Sequence, residues 1–311
     1  MYALFRKELA DHLDSLRFII IFALALFCAA VSLYGALGGL QSALSTPDGS
    51  NFVFLRLFVT TSGSIPSFAS FVTLIGPLIG LILGFDAINS EKNAGTLNRL
   101  LAQPIHRDAV INGKFLAGVF VITIVVVSMA LLVAGMGLFK TGIPPSGEEV
   151  FRLLIFVIFA IVYMAFWLGL AILLSVVSRH AATSALAVVA IWLVFAFFIT
   201  LIASGLAGAM YPPNTIDLVE KSALFQQQFS RISPSVLFSE ATGTILDPTT
   251  RTLGITSLSQ YQQLSVGVAG VLPMGQSLLL IWPHLVGMIA EMLASFVISY
   301  IIFMKQEIRG A

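Results

Sequence analysis

Charge is what this chain has least of. Sixteen Lys and Arg and fifteen Asp and Glu make up only 10% of its 311 residues, against roughly a quarter in a soluble domain. With 58% hydrophobic residues and a mean hydropathy of +0.99, a water-soluble fold would expose enough apolar surface to aggregate. The net charge of +1 offers no field for nucleic acid, so duplex binding is disfavoured. Cys28 is the only cysteine, which excludes an intramolecular disulfide and a thiolate metal cluster. A P-loop is missing: the sole Gly-Lys pair, Gly113-Lys114, is followed by Phe115, and Asp108 stands where the first glycine belongs. There is no HExxH, and Gly84-Phe85-Asp86 is not the Gly-x-Gly-Asp of an intramembrane aspartyl protease. His12, His106, His180 and His284 are scattered, and the acids Asp217, Glu220, Glu240 and Asp247 lack calcium-loop spacing. No internal repeat is visible, so the inverted symmetry of many secondary transporters is missing.

What is present is long apolar runs. A membrane helix takes about 20 apolar residues, and six stretches qualify, at about 18–40, 65–85, 115–139, 153–177, 181–210 and 280–304. The expected fold is therefore an all-α polytopic membrane protein of six spans, with residues 1–16 as an amphipathic interfacial helix and 17–311 as the membrane domain. Barrel strands would alternate in ten-residue units, which these runs do not. The segment 264–272 (LSVGVAGVL) is apolar but too short to cross, and is expected to dip in and return. The first run is of full membrane length, so no cleavable signal peptide is expected.

Six spans place both termini on one side. Arg6, Lys7, Arg17, Lys92, Arg99, Arg107, Lys114, Arg179, Lys305 and Arg309 share that side, against six basic residues spread over a longer stretch on the other. The positive-inside rule makes the terminal side cytoplasmic, in the inner membrane, and leaves a long external loop at 211–277. Its Gln226-Gln227-Gln228 and Gln260 to Gln263 clusters fit polar helices that cap a pore exit, or a dock for an extracytoplasmic partner. In the first sixteen residues, Tyr2, Phe5, Leu9, Leu13 and Leu16 fall on one helical face and Lys7, Glu8, Asp11 and Asp14 on the other, with Leu4 as the exception.

The loop 86–114, DAINSEKNAGTLNRLLAQPIHRDAVINGK, is the most informative. Thr96 after Gly95 is placed to cap a short helix bearing Leu97, Leu100 and Leu101, and Pro104 ends it. Glu91, Lys92, Arg99 and Arg107 rim this ridge, a form suited to docking in a partner's groove. Packing against the protein's own spans is the competing reading. Inside the last span, Glu291 is the only deep carboxylate, and His284, Met288, Glu291 and Met292 share its face. A neutral, hydrogen-bonded Glu among packing methionines outweighs the other reading of that face, a cuprous-ion path through Met288 and Met292.

The stretch from Phe85 to Gly118 resembles the hallmark of ABC-2 type transporter permeases, with Glu91, Gly95, Thr96, Leu97, Leu100, Leu101, Pro104, Arg107 and Lys114 in the family's order. The opening Arg6-Lys7-Glu8 looks like the family's elbow helix, and Arg231 to Phe238 (RISPSVLF) is similar to its Ser-Pro segment before the last span. Within the family, the opening and the loop look closest to NosY-type permeases, which accompany nitrous-oxide-reductase maturation and copper or sulfur supply. The resemblance implies a non-enzymatic permease, with no catalytic residue and no cofactor of its own. It implies a dimer of separate ATPase subunits that hold ATP and Mg²⁺, an ATPase-coupling role for Glu91, Gly95, Thr96, Leu97, Leu100, Leu101 and Arg107, a second permease copy or paralogue, and export across a lipid bilayer. A secondary transporter or channel, a lipid-modifying membrane enzyme, and a membrane anchor that signals mechanically for an ATPase stand as the alternatives.

Overall fold

The computed structural model describes residues 2–44, 52–96, 106–212, 215–248 and 272–306. Among them there is no β-strand, only an isolated bridge between Ser62 and Ile65. Six helices are long and apolar enough to cross a membrane, as the charge-free runs require. In chain order the elements are α1 (Tyr2–Leu13), α2 (Leu16–Leu44), α3 (Val53–Val59), α4 (Phe68–Gly84), α5 (Asn89–Asn93), α6 (Arg107–Thr141), α7 (Gly147–Val177), α8 (Ala181–Met210), α9 (Ile216–Ser230), α10 (Pro234–Leu246) and α11 (Met274–Lys305). The leucine ridge Leu97, Leu100 and Leu101 and all but the last residue of the expected half-inserted segment 264–272 lie outside the described residues.

α7 is the hub of the bundle, packed against α4, α11, α6 and α10. Small residues let these helices approach closely, which is how membrane helices gain packing energy without a hydrophobic drive. Gly76, Gly80 and Gly84 form a stripe on α4, and a Cβ at Gly80 would lie only 2.8 Å from the backbone of Met164 and Leu168. α7 begins with a capping box: Ser146 accepts from the Glu149 N–H, and Glu149 accepts in return from the Ser146 N–H. Glu149 also accepts from the Phe54 N–H (3.0 Å), which anchors α3.

Pro77 interrupts α4 and cannot donate to the carbonyl of Thr73. The hydroxyl of Tyr163, midway along α7, donates to that carbonyl instead (2.9 Å). Its single proton thus spent, Tyr163 accepts from Ser235 (3.0 Å). Ser233 donates in the same way to the carbonyl of Phe195 (2.9 Å), within a π-helical turn of α8 at Val194–Phe198.

These contacts place part of 211–277 within the helix bundle. Tyr163 sits about 24 Å along α7 from Gly147 at 1.5 Å per residue, so the α9–α10 turn reaches the middle of the bundle. α9 runs back along α8, and α10 buries Leu237, Phe238, Ala241 and Ile245. At 13 residues, α10 is too short to cross a bilayer, although its inward face is apolar.

Candidate coupling site

The ends of the helices that bear the two termini converge on one polar cluster. α1 stops at Leu13 because Ser15 donates to the His12 carbonyl (2.7 Å) and caps α2 by accepting from the Phe18 N–H (3.1 Å). The chain thereby turns, and α1 lies against the first turns of α6. Leu4 seats on Gly113, where a Cβ would come within 3.3 Å of it. The face buried is therefore that of Leu4 and Glu8, not that of Tyr2 and Leu16, which stay exposed. The helical pattern alone placed Glu8 on the solvent side; Lys114 reverses this.

Lys114 Nζ lies 2.9 Å from Glu8 Oε2 and 2.7 Å from Glu91 Oε1. Side-chain exposures of 6% for Lys114, 8% for Glu8 and 17% for Glu91 put all three largely out of water. Two carboxylates thus share one ammonium. Lys7, 3.5 Å from Glu8 and 3.2 Å from Asp11, adds a second positive charge at the edge. Burial acts to lower the Lys7 ammonium, but Glu8 and Asp11 outweigh it and hold it above its ordinary value. Next to them, burial depresses the His12 imidazole below 6.5, against the pull of Glu8 and with the help of Lys114. Glu91 keeps Oε2 buried with no hydrogen-bond partner among the described residues.

The segment that contains Glu91 is tied down on every side. Arg17 forms an ion pair with Asp86 and lies over the Phe85 ring. The backbone N–H groups of Ile88 and Asn89 both donate to Ser175 of α7 (3.0 and 3.2 Å), and Asn93 donates to the Arg179 carbonyl (3.0 Å). α5 ends at Asn93, and Gly95 just beyond it has a φ of 67°, a left-handed conformation that favours glycine. The Thr96 hydroxyl donates back to the Glu91 carbonyl (3.2 Å) and closes this turn. Arg107 turns inward as well: it donates to the carbonyls of Phe303 (3.2 Å) and Gln306 (2.9 Å), while Gln306 donates to Val176 (2.9 Å). α1, α5, α6, α7 and the end of α11 thus meet around Lys114 and Arg107.

The other candidate residues lie apart from this cluster. His284 Nε2 is 2.9 Å from Glu240 of α10, which also binds Arg231 (2.8 Å) and Gln227 (3.3 Å). Burial acts to raise the Glu240 carboxyl, yet hydrogen bonds from His284 and Arg231 hold it below its ordinary value. Met288 is buried and Met292 partly so. Glu291 has one oxygen buried without a partner among the described residues, so it shares a face with His284 but no bond.

Sequence reasoning missed the Glu8–Lys114 pair, the His284–Glu240 pair and Arg152. Arg152 is fully buried and donates to Glu148, to the carbonyls of Ile245 and Leu272, and to Ser277. The available signal was its place three residues past Glu149 of α7's capping box, too far into a helix for a free flanking charge.

A family model described as ABC-2 family transporter protein matches residues 2–308. Over 118 residues the chain is 32% identical to a probable ABC transporter permease protein NosY of Pseudomonas aeruginosa, covering 37% of this chain and 38% of that protein. Over 141 residues it is 33% identical to the protein of the same name from Stutzerimonas stutzeri, covering 43% and 46%. The matched stretches thus span less than half the length of these relatives. With α1, six spans and the Lys114 cluster all inside the region matched, the chain belongs to the ABC-2 transporter family.

Proposed function

We propose that this chain is the transmembrane subunit of an ABC transporter, driven by a separate ATPase dimer that docks on the segment 86–114. The observation that supports it most is the Lys114 ion triad: one buried ammonium joins that segment to α1 and to α6. Force applied at 91–101 would pass through Glu91 and Lys114 into a membrane-length helix and an interfacial one. In this reading the termini and the triad face the cytoplasm, across the inner membrane, and transport runs outward. A second permease copy or a paralogue completes the pore. The exposure of α8, with Leu186 at 70% and Leu201 at 64%, favours such a neighbour. The NosY-like resemblance points to metalloenzyme maturation as the process served, and an extracytoplasmic partner would meet the 211–277 side.

The test is co-expression with a candidate P-loop ATPase subunit from the same genome, followed by affinity purification and ATPase assay in proteoliposomes. Leu97→Asp is expected to abolish association while leaving the membrane subunit monodisperse. Association and stimulated turnover equal to those of the unmodified chain would reject the docking assignment.

A further inference from the structure

Between α1 and α6 lies an apolar groove of about 600 Å³, lined by Tyr2, Phe5, Leu116, Val119, Phe120 and Thr123. Its floor is set by the edge-on contact of Phe5 and Phe120, with ring centroids 6.1 Å apart. It does not end at α1. Leu116, Phe120, Val127 and Leu131 are all exposed and follow one another at helical spacing, so the groove opens into the outward stripe of a membrane-length helix. One cation stands at its rim: the Arg6 guanidinium lies 5.9 Å from the centre of the Tyr2 ring. Lys7, its neighbour, is already engaged by Glu8 and Asp11, whereas Arg6 makes no ion pair among the described residues.

We propose that this groove is a binding site for one anionic phospholipid of the surrounding bilayer. An acyl chain occupies the apolar trough along α6, and the headgroup phosphate meets Arg6. A guanidinium suits a phosphate because it offers paired donors in a plane. An apolar trough that merges with a lipid-facing stripe and ends at a cation matches the two halves of such a molecule. The site also has a consequence for the cluster behind it. Phe5 on the groove side and Leu4 and Glu8 on the inner side belong to the same two turns of α1, so the lipid braces the helix that holds Glu8 against Lys114.

The test uses the full chain in nanodiscs of phosphatidylcholine containing phosphatidylglycerol with the same acyl chains, released and weighed by native mass spectrometry. One phosphatidylglycerol is expected to stay on each chain, with phosphatidylcholine at background. Arg6→Gln is expected to lower that retention about fivefold, the effect of one cation near an anionic headgroup. Val119→Trp and, independently, Thr123→Phe fill the trough and are expected to abolish retention, with helical content by circular dichroism unchanged. Equal retention of both lipids, or Arg6→Gln and both filling variants without effect, would overturn the proposal. So would disulfide-linked dimers of Phe120→Cys forming in the membrane at full yield, which would seat a second copy there. None of these readouts involves an ATPase, so the site stands or falls apart from the transporter reading.

Discussion

Lys114→Met removes the one ammonium that two buried carboxylates share. The methionine fills the space of the lysine stem, so the change isolates charge. Glu8 and Glu91 then face each other's charge out of water, with Lys7 the remaining cation and 3.5 Å from Glu8. Breaking a buried ion pair from one side costs about 3–5 kcal/mol, and the low exposure of all three groups leaves little solvent screening. α1 is held to α6 here, at the Leu4–Gly113 contact and at the Phe5–Phe120 ring contact, and the cost is relieved by undocking α1. At 1.4 kcal/mol per decade, amide exchange of residues 4–12 is expected to speed up by about two to three decades. The triple variant Glu8→Gln, Glu91→Gln, Lys114→Met replaces every charge by a neutral group of similar shape and should regain most of the protection, since a removed network costs far less than a broken one. Hydrogen–deuterium exchange on the reconstituted chain reads both. Unchanged exchange in Lys114→Met, or a triple variant as open as the single one, would refute the claim that the triad holds α1.

Three further outcomes are expected. Tyr163→Phe leaves the Thr73 carbonyl freed by Pro77 without a donor and costs about 1–3 kcal/mol, more than Ser235→Ala, in thermal unfolding; equal midpoints would contradict that role for Tyr163. Gly80→Val places a side chain 2.8 Å from the α7 backbone and should cost at least about 1–3 kcal/mol as overpacking, whereas Gly147→Ala, with open space around its Cβ position, should not; matched detergent unfolding curves check the pair. His12 is depressed below its ordinary 6.5, so the undocked state binds more protons as the pH falls through that value; α1 docking is full above pH 6.5 and weakens below it. Exchange of α1 between pH 7.5 and 5.5 should show this loss, and His12→Leu should flatten it.

Six spans were legible from the absence of charge alone, because a bilayer leaves no alternative to about 20 apolar residues in a helix. The family pattern was legible for the same kind of reason: Glu91, Gly95 and Lys114 stand close together in sequence, and Gly95 does adopt the left-handed turn that its residue type permits. Glu8 was not. Its helical face is polar by pattern, and only a lysine 106 residues away makes burial of that face favourable. The α9–α10 hairpin escaped for a different reason. Neither helix is long enough to span, and what seats the hairpin is non-local: the apolar face of α10 against α7 and α11, the hydroxyl contact of Ser235 with Tyr163 and the bond of Ser233 to the Phe195 carbonyl.

Local chemistry therefore determined the six spans, since these depend on apolar length and on the charged residues and prolines within a few positions. Which charges are buried, and what they join, was decided by the tertiary structure. A carboxylate leaves water only when a partner is already in place, and Lys114 for Glu8, His284 for Glu240 and the Ile245 carbonyl and Ser277 for Arg152 all come from other helices.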